Sequence, residues 1–134
     1  MVVAGMRSGI VVVTTEWIAG YDVESILGAV VGVAPHSVSP YREGLKSLAD
    51  GHGISDAERA ELMRRCREEA IEGMAYHARQ LGANAVVAMR MDHRQVTESW
   101  NEICAYGTAV HAVPAGLPPE ARGKRVSSVE TMRL

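Results

Sequence analysis

The segment from Ser55 to Gly82 constrains this chain more than any other. Ser55, followed three residues later by Glu58, forms a capping-box pattern, and Gly82 is the residue type that ends helices in a left-handed turn. Between them Met63, Cys66, Ala70, Met74, Ala78 and Leu81 recur at spacings of three and four, and Ile71 and Ala75 widen the stripe. The spacing predicts a long helix, roughly Asp56 to Leu81, with one apolar face and Arg and Glu on the outer side. Such a helix needs a broad apolar partner, and the segments on both sides read as strands.

Ile10 to Thr14 is a β-branched run, and a second strand is expected from about Ser25 to Val33, after the break at Gly20. In that second strand, strict alternation puts Ile26, Gly28, Val30 and Gly32 on one side and Leu27, Ala29, Val31 and Val33 on the other. Two glycines on one face mark a bulge or a close approach of another backbone, where Gly28→Val would overpack. Pro35 and Pro40 punctuate a loop, a short helix is expected over Tyr41–Ala49, and Asp50–Gly53 reads as a turn. After the long helix a strand is expected over Ala85–Met91, then a loop at Asp92–Gln95 and a last strand over Ser99–Val113. Strands grouped at both ends around helices give an α+β fold: an antiparallel or mixed sheet with the long helix packed on one face. The expected organisation is one domain over residues 1–113 and a Pro-containing extended or disordered tail over residues 114–134.

The 134 residues include no Phe and only 4% aromatics, so the core must be built from Val, Ile, Leu, Met and Ala. Small side chains bury less area within one subunit, which favours burial between subunits. The formal charge of −2, with basic residues scattered among Glu, provides no basic patch, so nucleic acid is not an expected partner. The apolar runs are far shorter than the ~20 residues that span a bilayer, so no membrane partner is expected either. Cys66 and Cys104 stand apart without a CxxC pattern, which fits reduced thiols and a cytoplasmic location.

VVVTTEWIAGY, ILGAVVG, GLKSL, REEAIEGM, LGANAVVAMRMD and EICAYGTAV follow one another from Ile10 to Val113. In this order and spacing they resemble the YbjQ-like family of small bacterial proteins. The resemblance implies a two-layer, dodecin-like subunit that assembles into a homopentamer, and a family labelled heavy-metal-binding. The loop around His36–Tyr41 and the Pro-bearing tail depart from the family pattern.

Three groups of residues are candidates for a site. His36, Asp92, His93 and Cys104 are the metal candidates, for a divalent or heavy-metal ion. The five histidines are isolated and no short ligand pair exists, so such a site would have to be repeated by ring symmetry. In the last strand Ile103, Ala105, Gly107 and Ala109 share a face, and Glu102, Cys104, Tyr106 and Thr108 share the other. In the preceding strand Ala85, Val87, Met89 and Met91 fall on one side, and Val86, Ala88 and Arg90 on the other. The helix is expected on the apolar sets. Arg90, Glu102 and Tyr106 then lie with Cys104 and Thr108 on a mixed face that meets another subunit or lines a ligand cleft. Thr14, Thr15 and Glu16, with Tyr21 across the turn, form the third group, whose plainer reading is a network satisfying loop backbone. Asn84, at the helix-to-strand connection, reads as structural through its tolerance of the left-handed conformation.

Catalysis has little support: no phosphate-binding glycine loop and no local triad occurs. The expected function is a homo-oligomeric ligand-binding or scaffold protein. Metal storage at symmetry-repeated sites and an enzyme with a subunit-interface cleft are the alternatives.

Overall fold

The computed structural model describes residues 4–37, 55–98 and 100–116. The short helix expected over Tyr41–Ala49, the turn at Asp50–Gly53 and residues 117–134 of the expected tail lie outside them. The described elements are β1 (Ala4–Arg7), β2 (Ile10–Val13), β3 (Tyr21–Ser37), α1 (Asp56–Gln80), β4 (Ala85–Thr97) and β5 (Trp100–Pro114). They form a mixed five-stranded sheet in the order β1-β2-β4-β5-β3, with α1 packed on one face. This is the expected α+β architecture.

α1 starts and stops where the sequence dictates. The Ser55 hydroxyl accepts the Glu58 amide at 3.2 Å and the Glu58 carboxylate accepts the Ser55 amide at 3.4 Å, so two otherwise unpaired donors are satisfied. At the other end Gly82 takes φ 83° and donates to the Arg79 carbonyl at 2.9 Å. Cys66, Ala70, Met74, Ala75 and Ala78 are buried against the sheet. Opposite them sit Ile10, Val12, Val30, Ala34, Val86, Ile103, Ala105 and Ala109, with Leu27, Met89 and Met91 at the margin.

Every described Trp and Tyr is exposed, so the core is aliphatic, as the lack of Phe requires. Its consequence is closeness. A Cβ on Gly32 would collide with the Ala70 carbonyl oxygen and the Met74 amide nitrogen, and one on Gly73 would stand 3.6 Å from Gly32 Cα. Backbone meets backbone there, and the partner is the helix of the same chain.

Two of the four register shifts in the β3–β5 and β4–β5 ladders correct the simple alternation. Leu27 and Gly28 together oppose Ala109, with Gly28 at φ 136°, so Leu27 turns to the helix face and Ile26 to the other. Gly28 thus marks the bulge and Gly32 the close approach. A Cβ on Gly28 would meet only Leu81 Cδ1, at 3.9 Å, an ordinary contact, so the first cost of substitution there is backbone strain at φ 136°. In β4 the shift lies between Val87 and Arg90, where Ala88 takes φ 55° and donates to the Thr15 carbonyl at 2.8 Å. Val86 therefore faces α1 while Ala85 and Val87 face away, the reverse of the sequence expectation. Beyond the bulge Met89 and Met91 return to the helix side.

Three further expectations are corrected by pairing. Asp92–Gln95 is strand, because it continues the ladder with Asn101–Cys104. β3 runs past Pro35 to Ser37, with the His36 backbone paired to Asn101. The N-terminal hairpin of β1 and β2 was not expected; the Ser8-Gly9 dipeptide, with φ 51° and 78°, is its turn.

Candidate functional site

The sheet face turned away from α1 holds most of the candidate residues. One half of it is closed. Val13, Ala85, Val87, Val110 and Ala112 form a second buried cluster, with Ile18 of the β2–β3 connection packed against it. That connection, residues 14–20, must carry the chain from β2 beside Val87 to Tyr21 beside Pro114, across this face. The Asn84 side chain pins the same region, donating to the Ala112 carbonyl at 2.7 Å and accepting its amide at 2.8 Å. Asn84 is structural for this reason. A left-handed backbone, the reason read from sequence, does not occur at this position.

The other half carries cross-strand rows. Arg90 opposes Tyr106, Asp92 opposes Cys104 and Arg94 opposes Glu102. On the far side of β5, Val31 opposes Tyr106 and Val33 opposes Cys104. Val31 and Val33 are each 44% exposed and Tyr106 39%, so no described element covers them. Ile26, Val23, Tyr21 and Trp100 are exposed as well.

Of the residues expected at a ligand cleft, Arg90 is committed to the backbone. Its Nη1 donates to the Thr14 carbonyl at 2.8 Å and to the Met89 carbonyl at 2.9 Å, bracing the β4 bulge. Glu102 pairs with Arg94 at 3.3 Å. Thr15 donates through its hydroxyl to the Trp17 carbonyl, the turn network that was the plainer expectation. Tyr21 is not beside Thr14–Glu16. It pairs with Pro114, whereas the Thr15 carbonyl accepts from Ala88 next to Val87, the partner of Thr108, six residues or about 20 Å away along β5 at ~3.3 Å per residue.

The metal candidates divide too. Asp92 and Cys104 face each other, whereas His93 opposes Ile103 with its side chain exposed, one residue out of step with Asp92. The side chain of His36 lies outside the described residues. Burial is the main cause pushing the Cys104 thiol up, aided by Glu102 and Asp92, with Arg94 opposing. A thiol so placed stays protonated at neutral pH and is a poor nucleophile. Among the described residues no group of three or more His, Cys, Asp or Glu side chains converges for a metal ion.

Sequence reasoning missed the cleft on the outer edge of β3. Ala29, Val30, Val31, His77, Gln80 and Leu81 line a shallow, mostly apolar hollow of about 510 Å³. His77 Nδ1 lies 2.8 Å from the Val31 carbonyl, which can only accept, so the proton sits on Nδ1. His77 stands three residues after Met74 and seven after Ala70, so the helical period places it on the Cys66 side of the apolar stripe, and only packing reveals its reach to β3.

The model of the YbjQ family, described as "Putative heavy-metal-binding", matches residues 10–113. This chain belongs to that family. Its relatives include UPF0145 proteins of Pyrococcus abyssi (42% identical, covering 76% of this chain and 90% of the relative) and Bradyrhizobium sp. (34% identical, 82% and 99%). A UPF0145 protein of Acidothermus cellulolyticus is 39% identical over 73% of this chain and 91% of its own. Among solved structures, a protein of the DUF74 family from Pediococcus pentosaceus, titled as of unknown function, matches with a TM-score of 0.52. It covers 78% of this chain and 98% of its own, at 15% identity, and so supports the fold. No described helix of this chain is long and apolar enough to cross a membrane.

Proposed function

We propose that this YbjQ-family chain is a homo-oligomeric ligand-binding or scaffold protein whose subunits meet across the uncovered half of the sheet. The observation that carries this reading is the exposure of Val31 and Val33 beside Tyr106, on a face whose other half is already a closed core. Two exposed valines opposite an exposed tyrosine and a half-buried thiol make a surface that costs free energy in water, and a second subunit would remove that cost. The flanking Arg94–Glu102 pair fits the polar rim of such an interface. The pentameric stoichiometry comes from the family resemblance. The cytoplasm is the compartment we favour, since Cys66 and Cys104 are both free thiols.

A second reading, heavy-metal binding, draws on the family description and on Asp92 and Cys104 facing each other across β4 and β5. Each subunit would supply two donors, and symmetry the rest. Native mass spectrometry of the untagged protein, before and after a chelator, separates the two. A bare oligomer supports the scaffold reading, and an oligomer whose extra mass the chelator strips supports the metal reading. A monomer would overturn both.

A further inference from the structure

The family match begins at Ile10, and β1 lies before it. β2 bonds β4 on one side, in parallel, so β1 occupies its only other edge. The register of Arg7 with Ile10 leaves a two-residue loop, and both loop residues, Ser8 and Gly9, take positive φ. That turn matches the twist of paired strands, so the hairpin closes without splaying. The loop is also tied to α1: the Ser8 hydroxyl donates to the Glu72 carboxylate, and Arg79 Nη1 donates to the Ser8 carbonyl at 3.1 Å.

An uncovered edge strand offers a row of free N–H and C=O groups to any extended chain. β2, four β-branched residues with Ile10, Val12 and Val13 buried, would be such an edge without β1. The molecule carries a strand suited to it. β3 lies at the far end of the sheet order, is 17 residues long and shows exposed Val23 and Ile26. A β2 edge meeting the β3 edge of another copy is a head-to-tail contact, which closes into a ring or runs on as a filament.

We propose that β1 is an intramolecular stand-in for a strand of a second copy, an edge cap that removes β2 from self-association. The inference is separate from the open-face interface proposed above, which uses side chains on a sheet face and not the β2 ladder. In the doubly substituted full chain Gly5→Pro/Met6→Pro, adjacent N–H groups point to opposite sides, so one lost donor faces β2 whatever the pattern. Sedimentation velocity and native mass spectrometry should then show a discrete species of at least about twice the wild-type mass. The peptide MVVAGMRSG, residues 1–9 of this chain, should return it to the wild-type mass by refilling the edge.

Arg79→Met, on the exposed side of α1, loosens the tie without touching the core. It should produce the same species in smaller amount and keep the test open if the proline variant does not fold. A wild-type mass in both variants, or a larger species of any kind that the peptide leaves unchanged, would overturn the proposal. A monomeric wild type would count against the open-face interface alone.

Discussion

The two faces of the sheet are built from the same strands and end in different states. The face under α1 is closed by one long element whose backbone touches β3 at Gly32 and Gly73. Among the described residues the opposite face is closed only where Ile18 and the β2–β3 connection cross it, and past Val87 its Val31, Val33 and Tyr106 side chains are exposed. Alternation gives each strand two faces, but the described residues supply covering elements for about one and a half. The difference teaches where to look for function: the helix face is spent on stability, and the open half is the surface left for the contact proposed above.

Substitutions can break that contrast. Gly32→Ala should have the largest effect, destabilising the subunit by about 3 kcal/mol or more, since the new methyl meets helix backbone that cannot rotate aside. Met74→Ala, fully buried, should cost about 2–5 kcal/mol. Chemical denaturation measures both, and a Gly32→Ala protein as stable as the wild type would refute the close approach. On the closed half of the other face, Val110→Ala should cost about 2 kcal/mol by the same argument.

Val33→Lys sharpens the comparison instead. Subunit stability should change by no more than about 0.5 kcal/mol, because the side chain is exposed, while the oligomer dissociates. An unchanged assembly would place the interface elsewhere. Alkylation of Cys104 should be slow at neutral pH and quicken only above the ordinary thiol range, with Asp92→Asn speeding it by removing a charge that raises the thiol.

The smallest effect belongs to the solvated side of α1. Hydrogen bonds from Arg64 and then Arg65 lower the Glu61 carboxyl to about 2. A depressed folded value means the contribution is present above the unfolded carboxylate range and lost as pH falls through about 2. Glu61→Gln should remove a small acid-side slope in helix stability, small because the pair is fully exposed.

The helix, its caps and the apolar side of β5 were legible because each rests on local rules: capping groups at fixed offsets, and one uninterrupted period. The faces of β3 and β4 were misread because a single extra residue inverts the side chains between it and the next shift or strand end. Gly28 advertised its bulge. Ala88 did not, since an alanine at positive φ is held there by the Thr15 carbonyl, a partner remote in sequence. Asp92–Gln95 reads as loop by composition and is strand by pairing. For the candidate site, alternation placed Glu102, Cys104 and Tyr106 on the face away from the helix. It did not reveal that Arg90 is spent on the Thr14 carbonyl or that Tyr21 lies at the other end of the sheet.

By itself, the sequence determined the family, the α+β class, the extent of α1 and a core without aromatic rings, because these follow from residue type and local period. Tertiary structure alone decided which half of the second face stays open, which edge β1 covers and which polar groups are already satisfied. Those depend on where a crossing segment and the register shifts fall, and the contacts that fix them join residues far apart in the chain.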